Sequence, residues 1–398
     1  MRKCLFVALV FLVLSGFNLP TTSAQFPIKV PKITKPNPKP SPTESAQPTP
    51  DSRASQPVVS GSATQPTERA GAAQTAAGVP EINWTRIQFR AETLTRYKGD
   101  YDVWSWVPHL TFTTTGQLPS GAHYYVEVAQ PGGAPWMKFD CKWAEYRIGY
   151  ECRSPSELEA QSITAIGVVP FTIKMRNELA GTEATLFTGR AKVEKVITNG
   201  APQPKQFVYY VNQDWNLPIG MVSIDGNKML NVRFWVRGEG IRLEPHVFYQ
   251  GNEIGPVMYH GVRTGGPSCG NELDYGTSQS VAETLPQRAK WHRIQCSFGG
   301  VVTAPVEGYT GVHVIGEHNG DYEVKVLRNN RLARSIKFTV ENGKIKDNGI
   351  YAANKMGGAA DVLIVPVAIL DDQDGPWDKA LWKTDAFYGH PLTGFTWP

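Results

Sequence analysis

The sequence predicts an all-β protein: two tandem antiparallel β-sandwich domains after a disordered N-terminal linker, with a short C-terminal strand/helix extension. Three observations carry this expectation. After residue 80, short alternating runs rich in Val, Ile, Thr, Tyr, Phe and Trp recur between Gly, Pro and Asn, among them HYYVEVA, FVYYVN, NVRFWVRG, YEVKVL and SIKFTV. A period of two gives each run one face to bury, the mark of a half-buried strand. Long 3.6-residue periodicity is nearly absent, which disfavours a βαβ enzyme fold. Finally, two stretches recur in the same order: WMKFDC at 136–141 is echoed by WHRIQC at 291–296, and FTIKMRNELAGTEATLFT at 171–188 lies without gaps on YEVKVLRNNRLARSIKFT at 322–339. Ordered recurrence points to duplication.

From the N-terminus, residues 1–24 have Arg2 and Lys3, an apolar stretch from Leu5 to Leu14 and a small-residue end at Thr22-Ser23-Ala24. This pattern predicts a secretory signal peptide, and its apolar run is too short to span a bilayer. Residues 25–80 are dominated by Pro, Ser, Thr, Ala and Gln, a composition that buries too little apolar surface to offset ordering entropy, so a disordered linker is expected. Lys29, Lys32, Lys35 and Lys39 make its first part basic, as spacing charges or as a weak attraction to an anionic polymer. Sandwich domains are placed at 81–200 and 205–345, with NGAPQPKQ as the exposed boundary. Asn319-Gly320, in GVHVIGEHNGDYEVKV, is expected to form a two-residue hairpin turn. In the extension, 346–398, DVLIVPVAIL reads as a strand interrupted or placed at an edge by Pro366. Asp374 and Pro376 suit the start of a short helix carrying Trp377 and Leu381, and the whole extension is expected to pack on the second domain.

This arrangement resembles the tandem immunoglobulin-like or fibronectin-like β-sandwiches of secreted and surface proteins. The resemblance rests on strand pattern, turns and duplication over 81–345. It departs from true immunoglobulin domains, whose bridging cysteines lie farther apart and enclose a core tryptophan.

Without the leader's Cys4, four cysteines remain: Cys141, Cys152, Cys269 and Cys296. An even number in an exported chain favours two disulfides, and of the three pairings the local one, Cys141 with Cys152 and Cys269 with Cys296, keeps each bridge inside one repeat. The C-x-x-C spacing of a zinc site is missing. Residues 1–80 carry eight Lys or Arg against three Asp or Glu, so the remainder stands at −1 of the chain's +4. A nearly neutral body offers no footprint for nucleic acid. No later stretch is long and apolar enough for a transmembrane segment.

Motifs for chemistry are weak. Gly266-Pro267-Ser268-Cys269-Gly270 spells G-x-S-x-G, but lies in a loop-like stretch rather than between strand and helix. His313, Glu317 and His318 lack the helical spacing of a zinc protease, and strand alternation places His313 and Glu317 on one face with His318 on the other. Asp371, Asp372, Asp374 and Asp378 form an acidic cluster whose oxygen ligands could take Ca2+, although no twelve-position loop is present, and an Asx turn with a helix cap needs no ion. No other cofactor is implied.

The aromatic residues say more. If WMKFDC and WHRIQC are strands, Trp136 shares a face with Lys138 and Asp140, and Trp291 with Arg293 and Gln295. Trp136, Lys138, Trp291 and Arg293 are therefore the candidate ligand-binding residues, each indole either held by its cation, offered to a sugar ring or partner protein, or buried by the other domain or the tail. The expected function is that of a secreted, non-enzymatic binding or structural protein acting in adhesion, matrix or envelope interaction, with a protein or polysaccharide partner at the cell surface or matrix. An extracellular hydrolase or a carbohydrate-binding protein with a site at the domain junction is the alternative.

Overall fold

The computed structural model describes residues 79–398 except 99–100, 146–148, 155, 198–206, 226–227, 239–241, 256–257, 260–261, 264–266, 276–285, 287–288, 306–308 and 358–361. The expected signal peptide and nearly all of the expected linker lie outside the described residues. The described residues are mostly β, and among them the sheets are antiparallel apart from one short parallel contact.

In the N-terminal half the strands are β1 (Gln88–Lys98), β2 (Tyr101–Phe112), β3 (Ala122–Ala129), β4 (Pro135–Asp140), β5 (Lys142–Ala144), β6 (Gly149–Arg153), β7 (Gly167–Asn177), β8 (Thr182–Ile197) and β9 (Phe207–Val211). They form two sheets, ordered β1-β2-β6-β5 and β9-β8-β7-β3-β4. Alternate residues of each turn inward. Phe89, Leu110 and Phe112 from one sheet meet Val126, Phe139, Phe171, Ile173 and Phe187 from the other in a single core. Gly189 sits where a Cβ would lie 2.6 Å from the Phe171 ring and 2.7 Å from the Phe187 ring, so the absence of a side chain lets those two rings stack.

The C-terminal half repeats this order. Its strands are β10 (Ile219–Ile224), β11 (Met229–Arg237), β12 (Leu243–Tyr249), β13 (Asn252–Glu253), β14 (Ser268–Tyr275), β15 (Trp291–Val302), β16 (Gly320–Arg328), β17 (Arg331–Glu341) and β18 (Val362–Ile369). They follow one curled path, β13-β12-β16-β17-β18-β10-β11-β15-β14. Cut at β18, the path gives β10-β11-β15-β14 and β17-β16-β12-β13, the same order as β1-β2-β6-β5 and β8-β7-β3-β4. Strand β18 stands beside β17 as β9 stands beside β8. Val232, Phe234, Ile294 and Phe298 face Val247, Val324, Ile336 and Phe338 across the second core.

Both expected disulfides are formed, Cys141 with Cys152 and Cys269 with Cys296, at Cα separations of 4.1 and 4.0 Å. The strand order also corrects the motif register. WMKFDC is β4 plus Cys141, whereas WHRIQC lies in β15, whose counterpart is β6. Cys296 thus answers to Cys152, and Cys269 to Cys141. The second pair of echoed stretches falls in corresponding hairpins, β7–β8 and β16–β17, whose connecting turns have four and two residues.

Three other expectations are corrected. Asn319-Gly320 makes no two-residue hairpin: Ile315–Glu317 is a 3-10 turn, His313–Val314 pairs parallel with β15, and Gly320 starts β16. Tight turns of that kind lie instead at Asn329-Asn330 (φ 51° and 62°) and Asn342-Gly343 (φ 51° and 71°), where both central residues take the left-handed conformation a type I′ turn requires. Strand β18 is central, pairing with β10 over 362–366 and with β17 over 367–369. Pro366 marks the change of partner, a place where a missing N–H leaves no gap in a ladder, while Ile364 O accepts instead from Asn348 Nδ2 at 2.6 Å. The expected helix at Asp374–Pro376 is replaced by a helical segment at Trp382–Gly389 whose last turn is non-helical at Ala386, Phe387 and Tyr388.

Candidate functional site

Alternation along β4 is as expected, with Met137 and Phe139 buried and Lys138 and Asp140 exposed. Trp136 nevertheless leaves that pattern as the extra residue of a bulge, since Val128 faces Met137 and Ala129 faces Pro135, and it packs edge-on against buried Trp106 at 4.9 Å and donates its indole N–H to Gln161 O at 2.8 Å. Lys138 lies over the Tyr125 ring at 4.0 Å, not beside the indole, and pairs with Glu127. Burial of Tyr125 pushes its hydroxyl up to about 12.

In β15 the indole takes the last of the alternatives the sequence leaves open, burial by the other half and the tail. Trp291 and Arg293 are 1% and 3% exposed because both faces of this sheet are covered. The face bearing Trp235 and Arg237 on β11, and Trp291 and Arg293 on β15, packs against the N-terminal half and the tail. Arg237 crosses from Trp291, its guanidinium 5.0 Å from the ring centre, and Arg293 donates to Thr85 O at 3.0 Å. Leu217, Ile369 and Trp377 complete the apolar cluster around Trp235 and Trp291. Neither Trp291 nor Arg293 is presented to an external ligand.

The acidic cluster is an arginine node. Asp374 accepts from Arg328 Nη1 at 3.0 Å, from the Arg237 backbone N–H at 2.9 Å and from Arg334 Nη2. Asp371 contacts Arg334 at 3.3 Å, and Asp214 accepts from Arg237 Nη1 at 3.1 Å and from the Asp378 N–H at 2.9 Å. Arg328, Arg334 and Asp374 are almost fully buried. Buried charges persist when paired and hydrogen-bonded, and the guanidinium forks occupy the oxygens that a cation would need. Asp372 pairs with exposed Arg331, and Asp378 caps the N–H of Ala380. Among the described residues, no group of three or more His, Cys, Asp or Glu is arranged to hold a metal. Burial pushes the Asp214 carboxyl above its ordinary range despite the Asp378 N–H and Arg237.

From this node the tail continues onto the N-terminal half. Arg190 binds Asp385 at 3.2 Å and Thr384 O at 2.9 Å, His390 meets Thr188 O, and the Phe89 N–H donates to the Tyr388 hydroxyl at 2.8 Å. The extension therefore packs on both halves. Between them lies a narrow crevice, with room for about one water, lined by Trp84, Thr85, Trp215, Trp235, Arg293 and Tyr388, among others. Its lining supplies aromatic rings, amides and one guanidinium, without a paired nucleophile and base.

The other catalytic-looking residues are not assembled. Ser268 lies in β14 opposite Ser297, away from any strand-to-helix elbow, while His313 pairs four residues farther along β15 opposite Val301. The 3-10 turn after His313 overturns the alternation expected for HVIGEH and stacks His313 on His318, ring centres 4.1 Å apart. His313 Nε2 meets the Tyr322 hydroxyl at 2.7 Å, and that hydroxyl donates to His318 O. Burial and the neighbouring His318 lower His313 to about 4.

An unforeseen residue is the exposed indole. Trp143, on β5, is 55% exposed and meets Tyr150 of β6 edge-on at 5.2 Å. Tyr150 stacks on Phe112 at 5.6 Å and abuts Tyr124 at 4.5 Å. Cys141 directly precedes this strand, and its bridge to Cys152 pins the ribbon. The sequence signal available was KWAEY immediately after a bridging cysteine. Comparison with protein-family models and with curated proteins finds no match.

Proposed function

We propose that the chain is an exported, non-enzymatic binding protein made of two tandem immunoglobulin-like sandwiches, whose contact element is the disulfide-pinned ribbon around Trp143. The strand orders support the tandem reading. Numbered within each half, they correspond to sheets A-B-E-D and G-F-C-C′ of the immunoglobulin scheme. The bridges depart from that scheme by joining the D and E positions within one sheet rather than crossing between the sheets from strand B to strand F. The leader and two disulfides support export to an oxidising compartment.

Trp143 is the single observation that carries the binding role. An indole more than half exposed, yet backed by three aromatic rings and tied by a bridge, is a rigid apolar anchor that has little motion left to lose on binding. The partner is expected at the cell surface, envelope or matrix. Retention of the protein on surface material from the exporting cell tests this: Trp143→Ala is expected to lose retention at an unchanged melting temperature. Equal retention of the variant would remove the ribbon from the role.

A further inference from the structure

Resting on the proposed export, and not on the role given to Trp143, we infer that Asn83 is an N-glycosylation site, its Nδ2 joined to an oligosaccharide during export. Asn83-Trp84-Thr85 is the one Asn-x-Ser/Thr in the sequence, and that spacing is the acceptor signal for N-linked sugar in an exported chain. The fold holds the two side chains together. Trp84–Arg86 is a 3-10 turn, and Asn83 before it accepts at Oδ1 from the Thr85 N–H at 3.1 Å and from the Thr85 hydroxyl at 2.7 Å. A backbone N–H only donates, so the atom it meets is the amide oxygen, and Nδ2 is the other end of the group. Among the described residues Nδ2 has no hydrogen-bond partner, and Asn83 is half-buried, two residues after exposed Glu81.

Holding the turn accounts for the oxygen and leaves the nitrogen unexplained, since Asp or Ser serves that purpose as well as Asn. Attachment at Nδ2 preserves both bonds to Oδ1, because an N-substituted amide keeps its carbonyl oxygen. The surrounding backbone is fixed, with the Asn83 N–H donating to Thr113 O at 3.0 Å and the Trp84 N–H to Met356 O at 3.1 Å. Thr85 is 6% exposed and its carbonyl accepts from Arg293, so a transferase reads the hydroxyl before the chain folds over it. In the transfer Nδ2 attacks the anomeric carbon of an oligosaccharide carried on a polyprenyl pyrophosphate. The new C–N bond replaces the C–O bond to the pyrophosphate, which leaves with its electron pair, and the proton lost from Nδ2 passes to a base of the transferase.

Mass spectrometry of the full chain recovered from outside the exporting cell tests the inference. The peptide containing Asn83 is expected to carry an oligosaccharide, and an amidase that cleaves glycosyl-asparagine is expected to release the sugar and leave Asp in place of Asn83. Asn83→Asp keeps an acceptor oxygen for the turn and is expected to be exported without the sugar. Thr85→Ser, which keeps the hydroxyl, is expected to retain the modification, and Thr85→Val to lose it. A bare Asn83 in exported protein that has lost its leader would overturn the site and leave export and the Trp143 role standing, as would sugar that persists in Asn83→Asp. Protein that keeps its leader inside the cell would sink the export reading and the site together.

Discussion

Arg328 and Asp374 form an ion pair at 3.0 Å with both side chains only 2% exposed, although 46 residues separate them in sequence. Arg328 closes β16, whereas Asp374 lies in the chain that follows the last strand. The pair fixes where the tail leaves the sheet. Removing one partner of a buried pair leaves a charge without compensation, at a cost of about 3–5 kcal/mol. Asp374→Ala is therefore expected to lower unfolding free energy by about that much, read from the urea midpoint. A loss below about 1 kcal/mol would show that the surrounding carboxylates, Asp371 and Asp214, already compensate the arginines.

The His313–His318 stack predicts an acid-side loss of stability. His313 is held neutral in the fold at about 4, against an ordinary value of 6.5, so between those values the unfolded chain binds more protons than the folded one. Its contribution is fully present above about 6.5 and is lost as pH falls towards 4. Asp214, whose carboxyl is raised by burial, has the opposite sign and regains stability as it protonates. Denaturant midpoints measured at pH 7, 5.5 and 4 should fall along this window, and His313→Phe should flatten the slope. An unchanged slope in the variant would assign the acid sensitivity to other groups.

The two bridges should differ in weight. They close segments of 11 and 27 residues, which chain-entropy arithmetic converts to about 2.8 and about 3.6 kcal/mol. Replacing Cys269 and Cys296 together by Ala is expected to cost more stability than replacing Cys141 and Cys152. The second replacement carries a further consequence, because it frees the ribbon that orders Trp143. Hydrogen exchange at residues 142–144 should accelerate in that variant and not in the other.

What the sequence disclosed follows from how locally each feature is determined. Alternation located the strands, since Met137 and Phe139 declare an inward face without help from the rest of the chain. The disulfides followed from parity of count and short spacing. Exposure at Trp291 was not legible, because a strand shows which residues share a face and not what covers it; here Leu217, Trp377 and Thr85 come from distant segments. Asp374 looked like a helix cap for the same reason. Its three arginine partners lie 40 to 137 residues away, and nothing near it in sequence announces them. The exposure of Trp143 was not legible either, because it depends on β5 ending its sheet among the described residues, which the residues around it do not announce.

The boundary near residue 200 separates the halves in sequence but not in hydrogen bonding. Strand β9 follows it, yet pairs with β8 from Val193↔Val211 to Ile197↔Phe207, and the Tyr209 N–H and hydroxyl reach Thr93 and Trp104 O at 2.9 and 3.0 Å. The tail adds Arg190–Asp385 and the Phe89 N–H to Tyr388 hydroxyl contact. A protease site inserted at 201–204 should therefore yield two fragments that co-elute in size exclusion and separate only in denaturant. Deleting residues 379–398 from the nicked protein removes the tail contacts and should lower the denaturant concentration at which the fragments part. Two stable fragments that separate in plain buffer would show that each half is self-sufficient and that the tail and β9 contribute little to holding them together.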